Sequence, residues 1–361
     1  MRKKICIATP VDYGNFGNRL QNYAVHMICN KMGLEPVTLA VEYSFICGKI
    51  PKHRILKLIH TFHIGNLISK VNRLKSINKS YASWLFTKET IKTVYVENQD
   101  ELNRVLTQSA YFGIGGDQIF APYWNEIVWF SMFPECDPNS KICFSPSFGT
   151  DSPDRDYLNK IKPELLEIGN LAVREESGCR IAKDLTGKNV HRICDPVVML
   201  SKADWIRAAA RKEVSQKEKI SLVYFLGEYQ ENYFPKVENE AQKNGWCVID
   251  VSRSSKSREA ACDPLTFVAY INSAECVYTD SFHAIMLALI LNKRVVIFER
   301  AGGKEMNTRI TELVERYNLQ NCVYMGNVSL EKLGTYNIDE ANKVLENERA
   351  SADDYYKQFT V

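Results

Sequence analysis

The stretch from Cys276 to Arg294, CVYTDSFHAIMLALILNKR, constrains the fold more than any other part of the chain. Apolar and β-branched residues run into Thr279-Asp280-Ser281-Phe282-His283, after which Ala284 to Leu291 is uniformly apolar and rich in helix formers. That order predicts a buried strand, a tight turn and a helix that starts at the histidine. In open α/β folds the turn of such a unit lies at the carboxyl end of a sheet strand, where ligands bind, and the helix N-terminus offers free N–H groups to an anion. His283 stands at that mouth. A lone histidine is more often structural than catalytic, so the stretch by itself leaves both roles open.

At 361 residues the chain exceeds one ordinary core, and about 150 residues per domain argues for two. Lys+Arg 46 against Asp+Glu 43 leaves a net charge of +3, too balanced for nucleic acid to be the main partner. Eleven cysteines are scattered with no CxxC pair and no Cys/His cluster at metal spacing. Several, such as Cys6, Cys143, Cys194 and Cys276, sit in strand-like apolar runs, which reads as buried thiols in a reducing compartment with neither a disulfide frame nor a metal site. The opening MRKKICIATPVDYGN reads as a first strand, not a signal peptide, and no apolar run approaches the roughly 20 residues that cross a bilayer. A cytoplasmic protein is the expectation.

Ile5 to Thr9 predicts a short buried strand, followed by a glycine-containing loop and a helix from Arg19 to Met32 closed by Gly33. This strand, loop and helix open a doubly wound domain. The loop is not GxGxxG. Its glycines serve either turn dihedrals or a ligand, with Asn15, Asn18 and Arg19 as the polar candidates. Val37 to Val41 follows as a strand. From Glu42 to Glu89 no acidic residue intervenes, while Lys and Arg accumulate and Ile64, Leu67, Ile68, Val71 and Leu74 keep helical spacing. Residues 49–80 therefore predict a basic amphipathic insertion, either a helix with a solvated face or a peripheral dock for an anionic membrane at its inner face.

Tyr111 to Gln118 is another strand running into glycines. Gly115 and Gly116 allow close backbone approach, and Asp117 and Gln118 place polar groups at the strand end. Ile142 to Ser147 and His191 to Val198 predict further strands. Arg174 follows the apolar Leu171-Ala172-Val173, so its planar fork emerges at a sheet edge, suited to a carboxylate or phosphate; an ion pair with Glu175 or Glu176 is the plain alternative. After the charged run Arg211 to Lys219 the alternation of strands and helices begins again at Ile220, which predicts a second Rossmann-like domain. The loop after Phe298 carries Arg300, Lys304 and Arg309 close in space to His283. The resulting division is 1–205, facing an acceptor, 206–335, facing a donor, and a helical tail 336–361 expected to pack back on the first domain.

Five segments occur in an order and spacing that resemble the polysaccharide pyruvyl transferase family: Tyr13 to Ala24, Gly115-Gly116-Asp117-Gln118, Val173 to Gly178, Asp195-Pro196, and Thr279 to Ala284. The resemblance runs from residue 5 to about residue 320. It implies two facing Rossmann-like domains, like those of GT-B glycosyltransferases, with the site in the cleft. It also implies transfer of the pyruvyl unit of phosphoenolpyruvate onto a sugar of a cell-surface polysaccharide or its lipid-linked precursor as a ketal, with phosphoenolpyruvate as co-substrate and no other cofactor. By resemblance, Arg174 matches an arginine that holds the donor and His283 a histidine assigned as acid or donor contact. The chain departs from many relatives in having Ser281 where they carry an arginine two positions before the histidine, and Ala284 where they carry glycine. That removes one anion clamp and leaves phosphate binding to Lys304, Arg309 or the helix N-terminus.

Phosphoenolpyruvate carries a carboxylate and a phosphate, so the site needs several cationic or N–H donors, for which Arg174 and Arg309 are candidates. Attack by a hydroxyl at the enol carbon needs a proton delivered to the methylene carbon, a task that suits His283. Asp117 or Asp280 could accept the hydroxyl proton, although Asp280 could equally cap the helix. Two rivals remain at this stage: a GT-B-type glycosyltransferase using a nucleotide sugar, and a non-catalytic scaffold of a polysaccharide pathway.

Overall fold

The computed structural model describes residues 2–41, 70–122, 133, 135–212, 214, 218–227, 233–252, 255, 257, 259–300, 304–326 and 328–360, with the side chains of 41, 70–79 and 304–309 left out. Most of the basic insertion at 49–80 therefore lies outside the described residues. Its carboxyl end belongs to the helix Lys70–Thr90.

The first unit is built on β1 (Lys4–Ala8), whose residues after Lys4 are all buried. A strand covered on both faces reads as a continuous apolar run, which is why KICIA sits at the centre of a sheet. β2 (Glu35–Val41), β3 (Thr93–Val96), β4 (Tyr111–Ile114) and β5 (Lys141–Cys143) complete a parallel sheet in the order β3-β2-β1-β4-β5. The reversal of winding beside β1 creates the crevice at the carboxyl ends of β1 and β4 where such folds hold ligands. The helix Phe16–Lys31 enters from β1. It buries Phe16, Leu20, Ala24, Ile28 and Cys29 at helical spacing. The Asn15 side chain caps it by accepting from the Asn18 N–H at 3.3 Å.

The second unit repeats the plan. β8 (Ile220–Tyr224), β9 (Cys247–Asp250), β10 (Ala274–Thr279) and β11 (Arg294–Ile297) form a parallel sheet in the order β11-β10-β8-β9. The short parallel pair β6 (Ala172–Val173) and β7 (His191–Arg192) stands apart from both. The protein is thus an α/β molecule with two Rossmann-like units.

The units meet through aromatic packing. Phe16 at the start of its helix lies 5.5 Å from the Tyr224 ring and 4.9 Å from the Phe267 ring, centroid to centroid. Its N–H donates to the Tyr224 hydroxyl at 3.3 Å. The last helix, Ile338–Lys357, packs on the first unit. There the Tyr355 hydroxyl accepts from the Cys143 N–H at 3.0 Å and donates to the Asn170 carbonyl at 2.9 Å.

Two strands are shorter than their apolar runs. The run Ile142 to Ser147 leaves the ladder after Cys143 because Ser145 adopts φ 62° and Pro146 has no N–H to donate. The run His191 to Val198 pairs only through Arg192, after which Asp195 caps a 3₁₀ turn at Pro196–Met199. Both interruptions place polar residues at the rim of the crevice.

Among the described residues no helix is long and apolar enough to cross a membrane. Burial pushes the Cys6 thiol up to about 12, so it packs as an inert apolar group.

His26 couples this fold to pH. Its Nε2 lies 2.8 Å from the Thr38 hydroxyl, which gives its single proton to the Asn22 carbonyl oxygen at 3.0 Å. His26 Nε2–H is therefore the donor in this pair. Burial, aided by the charge on Arg19, pushes its pKa down to about 4. The unfolded chain binds the proton near pH 6.5. Between the two values the unfolded state holds more protons, so this group makes stability fall as pH drops from about 6.5 to about 4, by roughly 3 kcal/mol. Unfolding free energies of wild type and His26→Gln across that range should converge at acid pH; a constant difference would contradict the assignment.

Candidate active site

Asp195 organises the polar groups between the two units. Its Oδ1 accepts from the Val197 N–H at 3.0 Å, which leaves Oδ2 facing the crevice. That oxygen accepts from Arg174 Nη1 at 2.8 Å and lies 3.5 Å from Nε2 of His283. The second distance is an electrostatic contact, since Nε2 has no hydrogen-bond partner. Arg174 and Asp195 come from the first unit and His283 from the second. All three are buried, at 3%, 2% and 4% exposure, so little water screens the charges.

Local sequence explains each position. Arg174 leaves the end of β6 with its N–H bonded to the Pro146 carbonyl at 3.1 Å. Its Nε donates to Glu175 at 2.7 Å, and its guanidinium sits 4.6 Å over the Phe282 ring. Phe282 and His283 open the helix Phe282–Ile290, whose remaining residues are buried and apolar. The Thr279 hydroxyl accepts from the Ser281 N–H at 3.0 Å and donates to the Tyr224 carbonyl at 2.6 Å, which fixes the turn.

Gly17 permits the approach of the two units here. A Cβ at that position would lie 2.4 Å from Nδ1 and 2.5 Å from Cβ of His283. The clash falls on the root of the imidazole as well as its ring, so rotating the side chain cannot relieve it.

Burial penalises the charge on Asp195, but His283, Arg174 and the Val197 N–H more than offset this and hold its carboxyl below the usual carboxylate range. For Arg174 burial likewise opposes the charge, and Glu175, Asp195 and Asp117 together outweigh it, so the guanidinium holds its proton more tightly than usual. Nη2 of Arg174 is buried without a hydrogen-bond partner. The ion pair with Glu175 anticipated as the plain alternative is present. Two of the three guanidinium nitrogens are already committed, which corrects the picture of an empty two-pronged fork.

The first unit contributes a second buried network. Asn18 Nδ2 donates to Asp117 at 3.0 Å, while Asn18 Oδ1 accepts from the Asp12 N–H at 2.9 Å and from Arg19 Nε at 3.0 Å. Arg19 is fully buried, its pKa is lowered by burial, and its Nη1 lacks a partner. Asp117 has φ 63°, a left-handed backbone uncommon for a non-glycine residue and worth relating to function. Gln118 is buried beside Gly149.

Gly115 and Gly116 serve the chain's own packing. A Cβ on Gly115 would meet the Thr9 Cβ at 2.5 Å, and one on Gly116 would meet the Gln21 side chain at 2.6 Å and the Phe144 carbonyl at 2.8 Å. The close approach expected from the double glycine is therefore made by protein. Asn15 is engaged as a cap and lies 3.5 Å from the Tyr224 hydroxyl.

Asp280 does not cap its helix. Its carboxylate accepts from the Leu226 and Gly227 N–H groups at 2.7 and 2.8 Å, tying the end of β8 to the end of β10. Arg300 adds a contact at 3.3 Å. Ser281 is fully buried, and its hydroxyl has no partner. The side chains of Lys304 and Arg309 lie outside the described residues. Among the described residues no group of His, Cys, Asp and Glu could hold a metal ion.

Sequence reasoning assigned no individual role to Asp195 or Gly17, although both lie in segments that carry the family resemblance, Asp195-Pro196 and Tyr13 to Ala24.

The model of the polysaccharide pyruvyl transferase family matches residues 15–302. No curated protein sequence matches the chain. Among solved structures, a glycosyltransferase from Streptomyces sp. SF2575, SsfS6, aligns over 98% of this chain and 96% of its own at 11% identity and TM-score 0.44. Arabidopsis thaliana UGT89C1 complexed with UDP aligns over 100% of both chains at 10% identity and TM-score 0.47. The wall teichoic acid polymerase TagF covers 99% of this chain and 84% of its own at 10% identity and TM-score 0.48.

Gly17→Ala should reduce turnover by at least tenfold, because a misplacement of about 1 Å at a reacting group can cost on the order of 10². Steady-state rates and circular dichroism together check this. Full activity in a folded variant would show that the contact between Gly17 and His283 positions nothing.

Proposed function

The chain belongs to the polysaccharide pyruvyl transferase family, and we propose that its pyruvyl donor is phosphoenolpyruvate, bound between the two units beside Arg174 and His283. The acceptor on this reading is a sugar of a cell-surface polysaccharide or of its lipid-linked precursor. The observation that carries it is the single Asp195 oxygen standing 2.8 Å from an arginine of one unit and 3.5 Å from a histidine of the other.

The unpaired Nη2 of Arg174 is available to a donor oxyanion. The Asp195 carboxylate stands 3.5 Å from Nε2 of His283, and its partners Arg174 and His283 come from different units. In the proposed reaction an acceptor hydroxyl oxygen attacks C2 of the enol phosphate while the methylene carbon takes a proton from His283. Asp117 receives the hydroxyl proton. The C2–O bond to phosphate then breaks with its electron pair leaving on phosphate, and a second hydroxyl closes the ketal and sheds its proton. Each step uses proton transfer and fixed charge from side chains. The reaction calls for phosphoenolpyruvate as co-substrate and no further cofactor.

A thermal-shift screen tests the donor. Phosphoenolpyruvate should raise the melting temperature and nucleotide sugars should not; the opposite ranking would favour glycosyl transfer. His283→Ala should lower turnover by about 10² to 10⁴ with folding intact, and an unchanged rate would remove His283 from the chemistry.

A further inference from the structure

Beside Arg174 lies the N-terminus of the helix Glu176–Thr186, and its free N–H groups are occupied by the other unit. The N–H groups of Glu176 and Ser177 both donate to the Glu312 carboxylate at 3.3 Å. Glu175, the helix's own cap position, makes no side-chain cap bond, because its carboxylate accepts from Arg174 and from the Ser147 hydroxyl. A helix N-terminus presents oriented N–H groups and a positive dipole end, which suits an anion. Here the anion is a carboxylate carried on the helix Lys304–Arg316 of the second unit.

A second observation points into the same space. Arg174, Glu175, Asp195, Phe282, Glu312 and Arg316 line one cavity. Arg174 is 3% exposed and its Nη2 has no partner. The cavity measures about 30 Å³, room for little more than a water molecule, whereas an enol phosphate with a carboxylate has ten heavy atoms. The cavity as it stands is too small for a molecule of that size. The remaining carboxylates of the lining are engaged: Glu348 with Arg192, Arg316 and Tyr317, and Asp195 with Arg174 and the Val197 N–H. Glu312 lies 3.8 Å from Arg316 Nη2, and its hydrogen bonds are those from two main-chain N–H groups, which any oxyanion could take over.

We propose that Glu312 is a resident stand-in for the substrate's anionic group. A carboxylate or phosphate oxygen of the donor displaces it from the Glu176 and Ser177 N–H groups and takes the unpaired Nη2 of Arg174. Release of Glu312 removes one tie between the helix Lys304–Arg316 and the first unit, while Arg316 stays on Glu348 at 3.1 Å. The inference rests on the donor site proposed above and adds the group that competes for it. A ligand that must first displace a resident competitor binds more weakly than to a vacant site by the fraction of molecules in which the site is open.

Calorimetric titration of Glu312→Gln and Glu312→Ala with phosphoenolpyruvate, inorganic phosphate and pyruvate tests this. Glu312 is partly exposed and outside the core, and its neutral isostere keeps its shape, so two variants guard against a folding artefact. Affinity should rise about five- to tenfold in Glu312→Ala and less in Glu312→Gln. A gain for phosphate alone identifies the phosphate end of the donor as the displacing group, and a gain for pyruvate alone identifies the carboxylate end. If wild type binds phosphoenolpyruvate and neither variant binds any of the three more tightly, the stand-in role is overturned while the donor reading survives. If phosphate binds more tightly to the variants but phosphoenolpyruvate binds to none of the proteins, the stand-in survives and the donor reading falls.

Discussion

The structure depends on one buried carboxylate that two units of the chain share. Asp195 would be costly to bury alone. Arg174 and the Val197 N–H satisfy it from within the first unit, and His283 approaches the same oxygen from the second. Around it the apolar contacts are continuous. Phe282 covers the Arg174 guanidinium, and Phe16 packs against both Tyr224 and Phe267, whose own rings lie 4.6 Å apart. The polar centre and its aromatic surround therefore fix the same relative placement of the units.

This arrangement is a compromise between stability and use. Pairing two carboxylates with Arg174 holds the guanidinium charged where it is 3% exposed, but occupies most of its donors. What remains is one nitrogen, one imidazole and a helix N-terminus plugged by Glu312. In a site whose polar groups are so largely paired within the chain, substrate must replace existing bonds rather than fill empty ones.

Much of the architecture was legible from periodicity. The continuous apolar runs KICIA and CVYT and the helix after His283 announce parallel strands covered on both faces, and the sheets contain them. The meeting of Arg174 and His283 was legible only through the order of five motifs. What escaped was tertiary. Whether Arg174 faces a ligand or a carboxylate depends on Asp195, twenty-one residues further on. Whether the double glycine at 115–116 cradles a substrate or its own chain depends on Thr9 and Gln21. The early end of β5 depends on the backbone of Ser145, which hydrophobicity does not record.

The central claim is that Arg174 and His283 act on one donor because they share one carboxylate. A double-mutant cycle measures that sharing directly: the binding free energy of phosphoenolpyruvate to wild type, Arg174→Lys, His283→Gln and the combined variant. The account predicts a coupling of about 1 kcal/mol or more, as for residues in one ion-pair network. Effects that add to within about 0.3 kcal/mol, the behaviour of independent sites, would contradict it.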